Sequence, residues 1–388
     1  AYDGVVGDLE YEHRKWGAQT TQIFNAFGPA MRGAQSRFEP GYLEGKDAGR
    51  IDIEGLSTTL AGTLLAETVA GVNQFLPSGQ LAGYLRPYQE RAAGGTFNLS
   101  AINDALVLSG SGLPFNASGL QHLDLSVRSF EMRTGATLDL GPGGSLHVTA
   151  GEAASIDGQI RAQSGSVSVS AGLAAGDGNG RLELGAAAAI DVSGGWVRDE
   201  LAQSGAPQAQ APRLITGGEI SLRSNGALLL AGGSVLDVTG GAAADQLGHI
   251  TAGDGGSVLL SASVDRLFVN ASPEVRIDST FRAHTFESAN ISTLNVSVPE
   301  IRIGASGLDR GTFNAPLSLF NAAGFGGVTL AGNERGLSVA ENVVVEVLAK
   351  NLVRQQGAAT RGRVFGNSTL PPTGTPPAAF TVPELLAP

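Results

Sequence analysis

The sequence predicts an all-β chain wound as a right-handed parallel β-helix, a solenoid with loop and short-helix excursions. Three observations predict it. A glycine pair followed by an alternating strand returns as GGTFNLSA from Gly94, GGSLHVTA from Gly143, GGEISLRS from Gly217 and GGSVLLSA from Gly255. Looser relatives start at Ser118 and Ser164. The starts near Gly94, Gly119, Gly143 and Gly165 lie about 22 to 25 residues apart, within the range of solenoid repeats. The longer interval from Gly143 to Gly217 reads as close to three such periods. A second phrase falls between the first: ATLDLGPGG at Ala136, AAIDVSGG at Ala189 and SVLDVTGG at Ser234. Third, 56 glycines beside only 6% aromatic residues suit a narrow core of small aliphatic side chains with a turn at every corner. The right-handed sense follows from the general preference of parallel crossovers.

Residues 1–93 carry irregular first coils with an aromatic, charged flank. AGRIDIEG from Ala48 and TTLAGTLLAETVAG read as alternating strands around a glycine turn. The stretch from Val72 to Ala93 breaks the alternation and is expected to leave the coil, with a short helix. Residues 94–310 form the regular β-helix of roughly eight coils, interrupted by a polar Ala/Gln/Pro loop over 199–212. Residues 311–370 are looser terminal coils, and 371–388 a Pro-rich tail or linker that cannot pair as a central strand. In GGSVLLSA, Val258 and Leu260 share one face while Ser257, Leu259 and Ser261 share the other. The glycine pairs supply turn conformations that a Cβ resists.

A net charge of −11 without any basic run excludes a nucleic-acid partner, since phosphate binding needs clustered Lys and Arg. With no cysteine, disulfides and thiolate metal sites are ruled out. No stretch reaches the roughly 18 to 20 apolar residues of a transmembrane helix. The sequence starts at Ala1, without an initiator Met or signal peptide, and reads as an internal piece of a longer exported chain.

The returning GGxLxLxA and LDVSGG phrases between Gly94 and Gly304, with EPGYLEGKDAGRIDIEG before them, resemble the filamentous haemagglutinin family of two-partner secretion exoproteins. The resemblance implies a right-handed β-helical shaft, secreted or displayed on a bacterial surface. It implies an outer-membrane transporter as export partner and a glycan or protein receptor on host cells or other surfaces. The function expected is a structural, adhesive segment mediating attachment, not an enzyme and without cofactors. The alternatives are a carbohydrate-active β-helix, lyase or hydrolase, and the shaft of a toxin-delivering exoprotein.

The recurring aspartates Asp139, Asp191 and Asp237, with Asp157 and Asp278 in variant contexts, have two readings. Aligned in consecutive coils, they make an acidic ladder able to take Ca²⁺ or to act as paired acids on a sugar. Alternatively, each caps its own turn through nearby backbone N–H groups. The histidines are scattered, and RID at Arg276 echoes a polygalacturonase phrase without its lysine. AGDGNG at Ala175 and TAGDGG at Thr251 look like pieces of calcium loops but lack the full spacing. Tyr11, Trp16, Phe24, Phe27 and Trp196 are the contact candidates, because binding energy concentrates on exposed aromatics; the other reading makes the first group a side cap over a coil. Asn98, Asn116, Asn290 and Asn295 head Asn-x-Ser triplets and are glycosylation candidates.

Overall fold

The computed structural model describes residues 6–13, 18–25, 46–59, 63–68, 92–110, 116–172, 180–198, 214–244, 250–263, 274–286, 289–305, 307, 311–348, 353–354 and 380–381, with the backbone alone for 6–13, 18–25, 116–118, 197–198, 244, 353–354 and 380–381. Two compact units result, Ala1–Leu43 and Glu44–Pro388. In the first, β1 (Val6–His13) and β2 (Ala18–Asn25) pair antiparallel.

The second unit is nearly all-β and dominated by parallel pairing, an architecture compatible with a solenoid. Its chain runs through β3 (Arg50–Gly55), β4 (Thr63–Leu65), β5 (Gly95–Leu108), β6 (Asn116–Ser118), β7 (Leu120–Met132), β8 (Thr137–Asp139) and β9 (Ser145–Ile156). It continues through β10 (Gln159–Arg161), β11 (Ser166–Ala171), β12 (Gly180–Leu184), β13 (Ala189–Asp191), β14 (Trp196–Arg198), β15 (Glu219–Ser224), β16 (Gly226–Leu230) and β17 (Val235–Asp237). Then come β18 (Ala242–Ala244), β19 (Ile250–Ala252), β20 (Ser257–Ala262), β21 (Val275–Ile277), β22 (Thr280–Arg282), β23 (Thr293–Ile303) and β24 (Thr312–Ala315). The single turn α1 (Ser318–Asn321), β25 (Gly327–Val339), β26 (Val353–Arg354) and β27 (Phe380–Thr381) complete it.

Three parallel faces arise. The first takes β3, the leading halves of β5, β7 and β9, then β11, β15, β20 and the leading halves of β23 and β25. The second takes the trailing halves of β5, β7 and β9, then β12, β16 and β21, and separately the trailing half of β23, flanked by β24 and β25. The third is β8, β10, β13, β17 and β22. From β9 to β23 the chain visits the three faces in one unchanging order.

On the first face Arg50, Thr96, His122, Ser145, Ser166, Glu219, Ser257, Thr293 and Gly327 share one register position. The step along the chain from Ser166 to Glu219 is more than twice that from Ser145 to Ser166, yet each brings the next strand into the same register. The stretch from Gly143 to Gly217 therefore holds two turns of the chain and not three, because one of them carries the 199–212 insertion. Among the described residues seven strands, against the roughly eight coils expected, cross this face between Gly94 and Gly304, and the pairing already begins at β3. Insertions at corners lengthen a turn of the chain without shifting its strands.

The alternation does what the sequence implies. Phe97, Leu123, Leu146, Val167, Ile220, Val258 and Leu294 stack in one buried inward column. Leu99, Leu125, Val148, Val169, Leu222, Leu260 and Val296 stack in the next. Each fully buried aliphatic side chain contributes about 1.5–3 kcal/mol relative to exposure, so the columns are where the stability resides. The glycine pairs owe their recurrence to close approach. A Cβ on Gly165 would strike the carbonyl oxygen of Gly144, one on Gly218 that of Gly165, and one on Gly256 that of Gly218. None of these glycines sits in left-handed backbone, so what they require is close contact between neighbouring strands; the turn conformation expected of the pairs is found at Gly143, φ +72°.

The excursion over 72–91 and the 199–212 loop lie outside the described residues. Within the Pro-rich tail, Phe380–Thr381 pairs antiparallel with Val353–Arg354.

Candidate functional site

The predicted aspartate ladder is real as a column but not as a run of acids. Asp139, Arg161, Asp191, Asp237 and Arg282 occupy one outward position of the third face, in that order. Arg161 separates Asp139 from the other two, and Arg282 closes the column. The sequence phrases hid this because the coils that bring Arg161 and Arg282 lack the LDVSGG wording.

Each aspartate also caps its own turn. Asp139 Oδ1 accepts from Gly141 N–H at 2.9 Å, Asp191 Oδ1 from Ser193 N–H at 3.0 Å and Ser193 Oγ at 2.6 Å, and Asp237 Oδ1 from Thr239 N–H at 3.0 Å. Asp157 instead bridges successive turns of the chain, accepting from Thr134 Oγ1 before it and from Ala187 N–H after it. Asp278 accepts from Arg276 Nε at 2.5 Å, so the RID phrase is a local ion pair at the end of β21. Asp254 of TAGDGG accepts Asn290 N–H at 2.9 Å, tying two turns of the chain together; the Asn290 side chain first, and then this N–H, hold its carboxyl below the usual range. AGDGNG lies outside the described residues. Among the described residues no three His, Cys, Asp or Glu side chains gather into a group that could hold a metal.

Asp191 and Asp237 are adjacent acids, and Asp237 is buried with its side chain 5% exposed. Burial pushes its pKa up to about 6, with Thr239 opposing, Asp191 adding repulsion, and Arg282, 3.8 Å away, opposing weakly. Burial of this carboxyl leaves Asp191, half-buried, as the more accessible member of the pair.

A trough of about 630 Å³ runs along the glycine corner, across the coils of β9, β11, β15, β20 and β23. Ser166, Glu219, Ser257 and Thr293 succeed one another along its wall in register, at about 4.8 Å per coil. One carboxylate among hydroxyls can accept and donate hydrogen bonds to a polar chain, but it is not an acid–base pair. The composition of the phrase, Gly-Gly before Ser or Thr, carried this signal; reading the glycines as turns missed it.

Trp196 is not a contact surface. It is 8% exposed and packs edge-on against Phe286, 6.1 Å between ring centroids, beside Ala242. Strands β14, β18 and β19 form a small side sheet over which this cluster closes. An indole next to a glycine pair reads as exposed only while the hairpin that covers it is unknown. Of the other aromatic candidates, Tyr11 and Phe24 lie on β1 and β2, whose backbone alone is described, and Trp16 and Phe27 lie outside the described residues.

Among the glycosylation candidates, Asn290 is exposed, Asn295 is half-buried on the outer face of β23, and Asn116 is described in backbone alone. Asn98 donates its Nδ2 to Asp52 Oδ1 at 2.5 Å, so its amide is already engaged.

No protein-family model, curated protein or solved structure matches the chain. No described helix is long and apolar enough to cross a membrane.

Proposed function

We propose that the second unit is a right-handed parallel β-helix serving as a structural, adhesive shaft of a bacterial surface exoprotein of the filamentous haemagglutinin type. It is exported through an outer-membrane transporter, and it attaches to a glycan or protein receptor without turnover. The observation that carries this reading is the fate of the repeated acids: each is consumed in its own turn, and arginines interleave the column. Columns of this kind stiffen a stack, whereas a sugar-cleaving groove needs two acids free to face the substrate, about 5 to 9.5 Å apart. Contact with a ligand then falls to the sides of the stack, of which the hydroxyl-lined trough is one.

One observation favours a second reading, a carbohydrate-active enzyme: the adjacent Asp191 and Asp237, one of them with a raised pKa. A glycan-array screen of the whole chain with and without calcium, followed by a product assay on any acidic polysaccharide bound, separates the two. Binding without cleavage supports the shaft. Cleavage lost in an Asp191→Asn variant overturns it.

A further inference from the structure

The two ends of the parallel stack carry one side-chain pattern and one uncovered edge each. Among the described residues, β25 pairs only with β23, and β3 only with β5, so each offers a row of free backbone N–H and C=O groups. Interior coils put two large apolar residues and then a small or β-branched one inward at the three register positions, as in Leu146, Val148 and Ala150. At the first end these positions are Ile51, Ile53 and Gly55; at the last they are Val328, Leu330 and Gly332.

Part of the apolar surface there is uncovered: Ile53, Val328 and Leu330 are half-buried against the core, while Ile51, Leu56, Leu337 and Val339 face solvent. Ile51 is 42% exposed, whereas Phe97, its neighbour in the column, is 2% exposed. Leu337 and Val339 are 46% and 49% exposed, against 0% and 7% for Ile301 and Ile303, their partners on β23. Leu56 adds 67% exposure at the first end.

We propose that the last strand of one copy pairs in parallel with the first strand of another, Val328 beside Ile51 and Leu330 beside Ile53. The coil-to-coil interface repeated through the stack continues across this junction. Outward, Arg50, Asp52 and Glu54 then meet Gly327, Thr329 and Ala331, so no like charges oppose. Such contact is head-to-tail: it uses two different surfaces, and it leaves a free end on every assembly, so copies add in file. This rests on the stacked-coil reading above.

The test uses the full chain. Sedimentation velocity over a wide concentration range should show species that lengthen with concentration. A Thr329→Glu/Ala331→Glu double variant, which sets like charges opposite Asp52 and Glu54, and an Ile51→Lys variant should each remain single copies. Because Thr329 and Ala331 lie on the outer side of β25 and Ile51 is already solvent-facing, circular dichroism and the thermal midpoint should match the parent. Mixing the two variants should restore a pair, and nothing longer, because each keeps one intact end. A parent chain that stays single throughout, or an association that survives both variants, overturns the proposal. Amide exchange on the single copy keeps the outcomes apart: slow exchange across β7, β9 and β11 upholds the coil stack even if the ends do not join.

Discussion

Replacing Asp237 by Asn removes one charge from the buried carboxyl while keeping an oxygen for the Thr239 N–H, now 3.0 Å from Oδ1. The folded pKa lies at about 6 against an ordinary 3.8. A carboxyl raised in this way is protonated more readily in the folded than in the unfolded chain. Its contribution therefore favours folding in acid and is lost as pH rises from 3.8 through 6. At about 1.4 kcal/mol per pH unit, ionised Asp237 costs the fold on the order of 3 kcal/mol, of which about 2 kcal/mol develops above pH 4.5. Arg282 offsets little of this, since its guanidinium stands 3.8 Å away on a side chain 57% exposed.

Urea unfolding of the parent and of Asp237→Asn, in steps between about pH 4.5 and 7.5, reads the effect directly. The variant should gain on the parent by about 2 kcal/mol across that window. Any fixed cost of seating the amide shifts both ends of the curve equally and drops out of the difference. Asp52, Asp254 and Glu300, whose hydrogen bonds hold them below their ordinary values, lose their contribution in the opposite sense, as pH falls below the ordinary carboxylate range. They are common to both proteins and cancel. A difference that stays flat across the window refutes the reasoning: Asp237 then ionises as readily folded as unfolded, and its burial carries no charge penalty.

Gly218→Ala should destabilise the chain by about 1–3 kcal/mol in the same denaturation, since its Cβ would strike the Gly165 carbonyl oxygen; a neutral result removes close approach as the reason for the glycine pair. Ser224→Ala should stabilise by roughly 1 kcal/mol, because its hydroxyl is buried at 3% exposure without a hydrogen-bond partner, in a column of mostly small apolar residues. Asp139→Ala should cost about 0.5–1.5 kcal/mol through loss of the Gly141 bond, and added Ca²⁺ should shift neither the parent nor the variant; a calcium-dependent rise in the parent's thermal midpoint contradicts the capping role.

Faces could be read from the chain because alternation within a strand is local. Val258 and Leu260 declare their side of the sheet within one short strand, and the sheet then has no freedom to turn them out. The period was less legible. Turns of the chain that differ more than twofold in length deliver strands to one register, so measuring along the chain from Gly143 to Gly217 overestimates the coils by one. The sheet fixes which side chains meet, while a corner can hold any length of chain whose ends come back together, at a cost that grows only as the logarithm of the loop.

Sites were legible where chemistry is local and illegible where it is stacked. The bond from Asp139 to Gly141 stays within a single corner and follows from the Asp-x-Gly wording. That Arg161 lies between Asp139 and Asp191 follows only from the order of coils, since a full turn of the chain parts it from each of them. Trp196 shows the same thing from the other side: its burial depends on Phe286, far along the chain, and on a hairpin that no repeat phrase announces. In a stack of coils the neighbours that decide a side chain's role stand one register above and below it. Asp139, Asp191 and Asp237 all cap their own turns, but whether such a carboxyl stands beside an arginine or a second acid depends on two residues that the local sequence does not contain. The Asp237 titration reads chiefly the burial that this stacking imposes, with Asp191, one strand before it in the column, and Arg282, one strand after, adding smaller and opposing effects.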